Sequence, residues 1–437
     1  MNELKRSISH YLERWQTSSS RKALIIRGAR QVGKTYSVRK LGKHFDHFLE
    51  INFEDYKKIH HLFDTDMDVT KIIQTLAVQF NVPVIPQKTL VFFDEIQACP
   101  NAIRSLRYFY EKLPNLHIIA AGSLLEFAFE EIPTFGVGRI QSVFMYPLTF
   151  HEFLEAMHPA LPPIIEKSYF NNPLPGNLHA IAINHYKSYQ IIGGMPEVVA
   201  EFVNSGDYMK CSELLDNLIQ SFQSDFAKYR KHVPMGTLRN IFHSIAQQAG
   251  GKFTYQHAAP ELDIKTIKPA LDLILLAGLA YKVPHTSAAG LPLGGQINPR
   301  KFKILPFDSG IHQRLLGLNL GEYLLQDHIQ MVNKGSLAEI TVGIQLLHYQ
   351  SPISQAQLYY WHRESKSSNA EIDYVIQQQD SIVPVEVKAG TKGQMQSMFL
   401  FLKEKKLSRG IRLSLENFGQ VDSIDIIPLY AIKSVVI

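Results

Sequence analysis

About the first third of this 437-residue sequence predicts an α/β fold, in which helices cover both faces of a parallel β-sheet. Two observations lead to this prediction. Strand-like apolar runs alternate with amphipathic, helix-like stretches as far as about residue 157. Two of these runs also end in residues suited to ligand binding, and ligands bind at the carboxyl ends of the strands in such sheets. The strand-like runs cover residues 23–27, 48–53, 90–94, 116–121 and 141–146.

The first run leads into a loop that is typical of nucleotide-binding proteins. Residues 28–35 read Gly28-Ala29-Arg30-Gln31-Val32-Gly33-Lys34-Thr35, which fits the pattern G-x-x-x-x-G-K-[ST]. A helix is predicted over 36–45, and this strand–loop–helix context argues against a chance glycine turn. Gly28 and Gly33 permit the tight turn that directs backbone N–H groups at phosphates. Lys34 is then expected to reach the β- and γ-phosphates, and the Thr35 hydroxyl to hold Mg²⁺.

The run 90–94 supplies the second half of the predicted site. Apolar residues of a buried strand close there on Asp94 and Glu95. We predict that Asp94 holds the same Mg²⁺ as Thr35 and that Glu95 is the general base for the attacking water. An ordinary strand end can carry the same residues, but the pairing with the loop indicates hydrolysis of a nucleoside triphosphate. The guanine-reading pattern Asn/Thr-Lys-x-Asp is absent from the sequence, which favours ATP.

Composition limits the classes of protein to consider. The sequence is 45% hydrophobic and 19% charged, as in globular proteins. Cys99 and Cys211 form no disulfide framework and no metal-ligand spacing, so we expect a reducing, cytoplasmic setting. Residues 1–15 lack the apolar core of a secretory signal, and the longest apolar stretch, 271–281, is too short to cross a bilayer, so no membrane partner is expected. The net charge of +5 permits nucleic-acid binding without arguing for it.

The middle of the chain predicts a helical section followed by a winged helix. Proline and glycine cluster between 159 and 176, which indicates a linker. Helix-like and hairpin-like stretches follow at 180–230, 235–281 and 284–303. Lys265 and Lys268 lie beside two aspartates in the stretch where a recognition helix would fall. We therefore favour a structural or protein-contacting winged helix over one that reads DNA bases.

A second candidate site is predicted near the C-terminus, where acids alternate with apolar residues in two strand-like stretches. Period two puts Glu386 and Lys388 on one face, and a hairpin would bring Asp373 beside them. The three residues fit the PD-(D/E)xK nuclease signature, in which Asp373 and Glu386 bind Mg²⁺ and Lys388 helps to orient or activate the attacking water. Glu339, on a predicted helix, matches the acid that such folds often contribute from their first helix. We expect this cluster on the exposed face of the hairpin, and an ordinary solvated hairpin is the open alternative.

The motifs, taken in order, resemble a family of prokaryotic AAA-type ATPases that carry a C-terminal domain of unknown function. Beyond the loop, the Phe-Asp-Glu strand and Ala121-Gly122-Ser123, the matching motifs are Gly138-Arg139, Tyr146-Pro147-Leu148-Thr149-Phe150-His151-Glu152-Phe153, Gly193-Gly194-Met195-Pro196-Glu197, Phe307-Asp308-Ser309-Gly310, and Trp361 ahead of Glu371-Ile372-Asp373 and Val385-Glu386-Val387-Lys388. The resemblance implies a P-loop NTPase core of AAA type, a helical and winged-helix-like middle, and a C-terminal α/β domain similar to restriction endonucleases. The expected boundaries are 1–160 for the core, 177–232 for a helical lid or connector, 233–305 for the winged-helix-like region and 306–437 for the nuclease-like domain.

Two further catalytic residues are expected by position. Ser123 follows the fourth predicted strand, where P-loop ATPases with an extra strand between the two motif strands sense the γ-phosphate; a plain strand-end turn is the alternative. AAA-type ATPases also need a cation that neutralises the γ-phosphate in the transition state. The resemblance implies that Arg139 supplies it from a neighbouring subunit or a lid, and a surface charge is the alternative. Action from a neighbour implies a homo-oligomer and hydrolysis that depends on protein concentration.

Two hypotheses for the whole chain follow. In the first, an ATP-driven motor or switch controls a C-terminal nuclease-like domain that acts on DNA. In the second, ATP binding changes contacts to a partner protein or to DNA without cleavage. A helicase is less favoured because the sequence has no separate helicase motifs. Both hypotheses require ATP and Mg²⁺ at the N-terminal site.

Overall fold

The computed structural model describes residues 4–64, 67–123, 125–131, 138–229, 233–318, 334–364, 370–390 and 395–436. These residues form two compact units. The N-terminal unit is Lys5–Tyr146 with Ser351–Gln355, and the C-terminal unit is mainly Pro147–Gln350 with Ala356–Ile437. None of the helices in these ranges is both long enough and apolar enough to cross a membrane.

A five-stranded parallel sheet organises the N-terminal unit. Its strands are β1 (Ala23–Arg27), β2 (His47–Asn52), β3 (Thr89–Asp94), β4 (His117–Ala121) and β5 (Ile140–Phe144). The spatial order is β2-β3-β4-β1-β5, so β4 lies between β1 and β3. The five strands predicted from the sequence are confirmed, with small differences at their ends. β1 and β3 are almost wholly buried, which is why their sequences are unbroken apolar runs.

Among the described residues, five α-helices accompany this sheet. They are α1 (Ile8–Thr17), α2 (Lys34–Gly42), α3 (Val69–Gln79), α4 (Pro100–Lys112) and α5 (Leu125–Glu131), with short 3₁₀ helices at Lys57–Phe63 and Ile96–Ala98. Helix α2 begins at Lys34, two residues before the predicted start. Helices α3 and α4 pack Ile72, Leu76, Ile103 and Leu106 into one apolar core with the strands. This packing fixes the sheet whose carboxyl edge carries the predicted site.

The C-terminal unit begins with a helical section. The α-helices of the whole unit are α6 (Phe150–Met157), α7 (Pro162–Glu166), α8 (Gly176–Ile192), α9 (Pro196–Ser205), α10 (Tyr208–Asp225), α11 (Met235–Gln247), α12 (Tyr255–Ala258), α13 (Ile264–Leu276), α14 (Ser309–Leu315), α15 (Lys334–His348), α16 (Gln396–Lys405) and α17 (Lys433–Val436). Short 3₁₀ helices lie at Phe226–Tyr229, Leu293–Gln296 and Leu429–Ala431. The stretch 159–176, predicted as a linker, therefore contains α7. Its proline pair opens that helix, because proline is tolerated in a first turn.

An eight-stranded mixed sheet forms the rest of the C-terminal unit. The strands are β6 (Ala280–Thr286), β7 (Ile297–Pro306), β8 (Tyr359–His362), β9 (Glu371–Gln378), β10 (Ser381–Val387), β11 (Gly410–Ser414), β12 (Gly419–Val421) and β13 (Ile424–Pro428). Their order is β12-β13-β11-β10-β9-β8-β6-β7. The predicted hairpin is present as β6 and β7, and it continues the sheet formed by the strands after residue 358. The winged helix and the boundary near residue 305 stay predictions.

Two of the motifs from the sequence meet at Asp308. Its buried carboxylate accepts hydrogen bonds from the backbone N–H groups of Gly194 at 2.7 Å and Ile311 at 3.0 Å, and it caps α14. Gly193 has a φ of +75°, and a Cβ there would lie 2.2 Å from Asp308 Oδ1, so only glycine fits. Burial raises the pKa of Asp308 to about 6, against the effect of these hydrogen bonds. The two motifs thus hold α8 and α14 together.

Candidate functional site

The glycine loop 28–35 turns at the carboxyl end of β1. Gly28 has a φ of +142° and Gly33 a φ of +95°, both outside the range that other residues adopt readily. A Cβ on Gly28 would lie 2.1 Å from the carbonyl oxygen of Met145, so the loop packs directly on the backbone after β5. The Met145 N–H also donates to the Arg27 carbonyl at 2.8 Å. The loop is therefore held in shape by the strand next to β1.

Lys34 is the buried cation of this loop. Its Nζ donates to the carbonyl oxygens of Gly28 at 2.9 Å and Ala29 at 2.8 Å. Burial lowers the pKa of Lys34 to about 8, while the carboxylates of Glu95 and Asp94 oppose this effect. An ammonium ion whose hydrogen bonds go to neutral carbonyls gains strongly from an anion, so the position suits a phosphate.

Thr35 and Asp94 are in direct contact, as the sequence predicts for two groups that share a metal ion. Thr35 Oγ1 donates to Asp94 Oδ2 at 2.9 Å, and the N–H of Glu95 donates to Asp94 Oδ1 at 3.1 Å. Asp94 is buried, and this burial raises the pKa of its carboxyl group. A hydroxyl and a carboxylate oxygen side by side are hard donors of the kind that Mg²⁺ prefers, so these residues fit that ion.

Glu95 is held in place by Gln97, which the sequence analysis missed. Glu95 adopts the left-handed conformation, with φ of +47°, and its Oε2 accepts a hydrogen bond from Gln97 Nε2 at 2.6 Å. Gln97 in turn packs on Gly122, where a Cβ would lie 2.1 Å from its Oε1. A strained backbone held by packing is frequent at functional sites. The sequence gives one signal for this role, because Gln97 is a polar residue two positions after Glu95.

Arg6 is a second residue that the sequence analysis missed. Its buried guanidinium donates to the carbonyl oxygen of Val32, within the glycine loop, at 2.8 Å. It also donates to the carbonyl oxygen of Tyr146, after β5, at 2.6 Å. Arg6 precedes α1 and belongs to no recognised motif, so nothing in the sequence marks it. It ties the loop to the end of the neighbouring strand.

The two other predicted catalytic residues, Ser123 and Arg139, differ in their exposure to solvent. Ser123 is buried directly after β4, the strand between β1 and β3. Arg139 precedes β5, is 42% exposed at its side chain, and pairs with Glu111 on α4. Glu111 also accepts from Arg107 at 3.0 Å, and the hydrogen bonds from Arg107 and then Arg139 lower the pKa of Glu111. The catalytic roles of Ser123 and Arg139 stay predictions.

The C-terminal candidate residues lie on adjacent elements. Strands β9 and β10 are antiparallel, and Tyr374 opposite Val385 is the last pair of their register, so Asp373 and Glu386 lie just beyond it. Asp373 Oδ2 accepts from the N–H of Val387 at 2.7 Å, and Glu386 Oε1 pairs with Lys388 Nζ at 2.6 Å. Glu386 is only 5% exposed, so the prediction of an exposed cluster is wrong. The face of β10 that carries Glu386 is covered by other parts of the protein and is not solvated.

Lys303, on β7, is a member of this cluster that the sequence analysis missed. Its Nζ lies 2.8 Å from Glu339 Oε1 and 2.7 Å from Glu371 Oε1. Burial raises the pKa of Glu339 to about 7, the Asp373 carboxylate adds to that effect, and Lys303 opposes it. Although burial alone would lower the pKa of Lys303, the carboxylates around it raise the pKa above its usual value. Across the described ranges, no group of three or more His, Cys, Asp or Glu side chains is arranged to hold a metal ion.

The N-terminal geometry defines a class of protein. A parallel sheet with a G-x-x-x-x-G-K-T loop after β1 and an acidic end on β3, with another strand between them, is that of a P-loop NTPase. Comparison with protein families gives the same answer, since residues 20–154 match the family model of an AAA domain. Residues 183–322 and 334–432 match two domains of unknown function, DUF8612 and DUF4143. The chain thus carries an AAA-type P-loop ATPase domain, as predicted, followed by two domains of unknown function.

Two solved structures are among those with a similar chain path. The Walker-type ATPase paby2304 of Pyrococcus abyssi is 15% identical, with a TM-score of 0.45 over 72% of this chain and 96% of its own. The ORC1 protein of Aeropyrum pernix, solved in complex with DNA, is 10% identical, with a TM-score of 0.28 over 73% of this chain and 92% of its own. At these TM-scores the likeness carries no functional inference. No curated protein matches the sequence.

Proposed function

We propose that the protein binds ATP at residues 28–35 and hydrolyses it. The observation that carries this proposal is the Thr35–Asp94 contact of 2.9 Å beside the buried ammonium of Lys34. In this proposal the backbone of Gly28, Ala29, Arg30, Gln31, Val32 and Gly33 cradles the phosphates. Lys34 exchanges its two loop carbonyls for phosphate oxygens, which carry more negative charge.

Thr35 and Asp94 are the proposed ligands of Mg²⁺. The ion, when bound, neutralises charge on the phosphates. Asp94 must be ionised for this role, although burial alone raises its pKa; the hydrogen bond from Thr35 already favours the ionised form. The nearby ammonium of Lys34 favours it as well.

Glu95 is the proposed general base for the attacking water. Gln97 occupies one carboxylate oxygen of Glu95 at 2.6 Å, which leaves the other to accept a proton. Ser123, at the end of β4, is the proposed contact to the γ-phosphate. Gly122 supports this arrangement because its missing side chain lets Gln97 pack between the ends of β3 and β4.

Arg139 is proposed to stabilise the transition state from a neighbouring copy of the chain or from a lid. Its pair with Glu111 is exposed, and an exposed ion pair contributes little free energy, so the pair can open when a phosphate is offered. If Arg139 acts on a neighbour, the specific activity rises with protein concentration. The homo-oligomer stays part of this proposal.

Substitutions at Lys34 and Glu95 test the ATPase proposal. Lys34→Ala should abolish tight ATP binding, because it removes the buried cation beside the phosphates. Glu95→Gln should bind ATP as wild type does and stop turnover, because Asp94 remains while the base is lost. Calorimetric ATP affinity and phosphate release measure both effects, with Lys43→Ala and Glu261→Gln on exposed side chains as matched controls. Wild-type turnover in Glu95→Gln would remove Glu95 as the base.

We further propose that the nucleotide state controls the C-terminal unit, as either a nuclease-like module acting on DNA or a non-nucleolytic switch that contacts a partner protein or DNA. The order α15-β8-β9-β10-α16-β11, with Glu339, Asp373, Glu386 and Lys388 on it, supports a nuclease-like domain over residues 306–437. Cleavage of plasmid and single-stranded DNA with Mg²⁺ or Mn²⁺, with and without ATP, tests the first form. A winged-helix-like region at 233–305 and a lid or connector at 177–232 belong to the same proposal.

The proposed location is the cytoplasm. Cys99 and Cys211 are both buried free thiols, and such thiols persist in a reducing compartment.

A further inference from the structure

We infer that Lys303 is the resident cation of the C-terminal carboxylate cluster and that this cluster takes no divalent metal ion. The cluster consists of Glu339, Glu371, Asp373 and Glu386. The inference rests on the proposed function of the C-terminal unit. Of the two forms of that proposal, it favours the non-nucleolytic switch. It is independent of ATP hydrolysis in the N-terminal unit.

The ammonium of Lys303 already has the surroundings of a bound cation. Two of its three protons are directed at Glu339 and Glu371, at 2.8 and 2.7 Å. Its Nζ also lies 5.2 Å from the ring centre of Tyr360, a cation–π distance. The side chain is 2% exposed, so this charge cannot move to solvent without opening the packing. A divalent ion bound beside it would face a fixed positive charge in a poorly hydrated place.

The other two carboxylates have their own donors. Asp373 Oδ2 accepts from the N–H of Val387 at 2.7 Å, and Glu386 Oε1 is paired with Lys388 at 2.6 Å. A magnesium or calcium site needs several oxygens turned towards one point at about 2.0–2.6 Å from it. Here the acids are turned towards three different donors within the chain, with Glu339 and Glu371 sharing Lys303. The donor set therefore does not fit the metal that a PD-(D/E)xK site requires.

A buried carboxylate oxygen without a hydrogen-bond partner among the described residues does not change this conclusion. Glu386 Oε2 is buried and has no hydrogen-bond partner among the described residues. Its neighbour on β11 is Arg412, in register with Glu386. The Nε and Nη2 of Arg412 also lack hydrogen-bond partners there, although Nη2 lies 3.6 Å from Glu416 Oε2. The group beside the free oxygen is thus a guanidinium, which repels a metal ion. A water molecule that accepts from Arg412 and donates to Glu386 suits this place.

Binding of Mn²⁺ to the nucleotide-free, full-length protein tests the inference. The loss of the free-ion electron paramagnetic resonance signal measures bound Mn²⁺ in wild type, Asp373→Asn and Thr35→Ala. We expect wild type and Asp373→Asn to give the same curve, and any bound ion to be lost only in Thr35→Ala. One Mn²⁺ per chain that Asp373→Asn loses and Thr35→Ala keeps overturns the inference. Phosphate release by the same preparations reports separately on the ATPase proposal.

Lys303→Met tests the role of the ammonium directly. Removing the cation leaves Glu339 without its ammonium partner and Glu371 with Lys252 at 3.6 Å, so Mn²⁺ should bind at least about tenfold more tightly than to wild type. Lys301→Met, on the same strand but with a side chain that is 41% exposed and paired with Glu364, is the matched control and should bind as wild type does. A folded Lys303→Met protein without this gain overturns the role given to Lys303. If that variant does not fold, wild type and Asp373→Asn still decide whether a metal binds.

Discussion

Arg6→Ala should loosen the glycine loop although Arg6 lies outside every motif. The substitution removes two hydrogen bonds from a charged donor, to Val32 at 2.8 Å and to Tyr146 at 2.6 Å. Such bonds contribute about 1.5–3 kcal/mol each when buried, and water can replace part of the bond at the half-buried Tyr146. We therefore expect the free energy of unfolding of the N-terminal unit to fall by about 3 kcal/mol. If about 1.4 kcal/mol of this loss falls on the ATP-bound loop, ATP affinity falls about tenfold.

Thermal unfolding with and without a non-hydrolysable ATP analogue, together with calorimetric affinity, measures both effects of Arg6→Ala. Arg6→Lys keeps the charge with fewer directed donors and should lie between Arg6→Ala and wild type. Arg14→Ala removes an exposed arginine from α1 and serves as the control. A folded Arg6→Ala protein that binds the analogue with wild-type affinity would refute the claim that Arg6 shapes the loop.

Three further predictions concern single groups. Gly28→Ala should abolish ATP binding in a calorimetric titration, since its Cβ would meet the Met145 carbonyl at 2.1 Å; wild-type affinity would show that the loop can shift. Arg139→Ala should lower turnover far more than ATP affinity, and Glu111→Ala, which removes only the Glu111 pair, should not. Unchanged turnover of Arg139→Ala at every protein concentration would make Arg139 a surface residue. The raised pKa of Asp308, about 6 against 3.8, means that its contribution to stability is full below about pH 4 and is lost as the pH rises through 6, by up to about 3 kcal/mol. The urea midpoint should therefore fall more between pH 4 and 7 in wild type than in Asp308→Asn. Midpoints that fall equally in the two proteins would contradict the raised pKa of Asp308.

The N-terminal site could be predicted from the sequence because its determinants are local. The glycines of residues 28–35, Lys34 and Thr35 lie in one continuous stretch, and Asp94 and Glu95 end a strand that is visible as an apolar run. Arg6 could not be predicted in the same way. Its role depends on the three-dimensional approach of the chain before α1 to the end of β5, across 140 positions of sequence. No periodicity records such an approach.

The C-terminal cluster was predicted in part for a related reason. Alternation placed Glu386 and Lys388 correctly side by side, on β10 and directly after its last residue, but it could not show what covers that face. Tyr359 pairs with Val375 and Trp361 with Ile372, so β9 has one residue more than β8 there and forms a bulge at Asp373 and Tyr374. A bulge re-aims side chains, so alternation alone does not give the direction of the Asp373 side chain. Lys303 comes from a hairpin that the sequence assigned to another domain.

The eight-stranded sheet contains strands from both sides of residue 306, and this determines which fragments of the protein can be made. A fragment that starts near residue 306 lacks β6 and β7, so β8 becomes a bare edge with unpaired backbone groups. It also lacks the lysine that neutralises Glu339 and Glu371, and it separates Asp308 from the Gly194 N–H that it binds. Such a fragment should be insoluble or aggregate. The region after residue 306 could be exchanged between related chains only if the hairpin at 280–306 is transferred together with it.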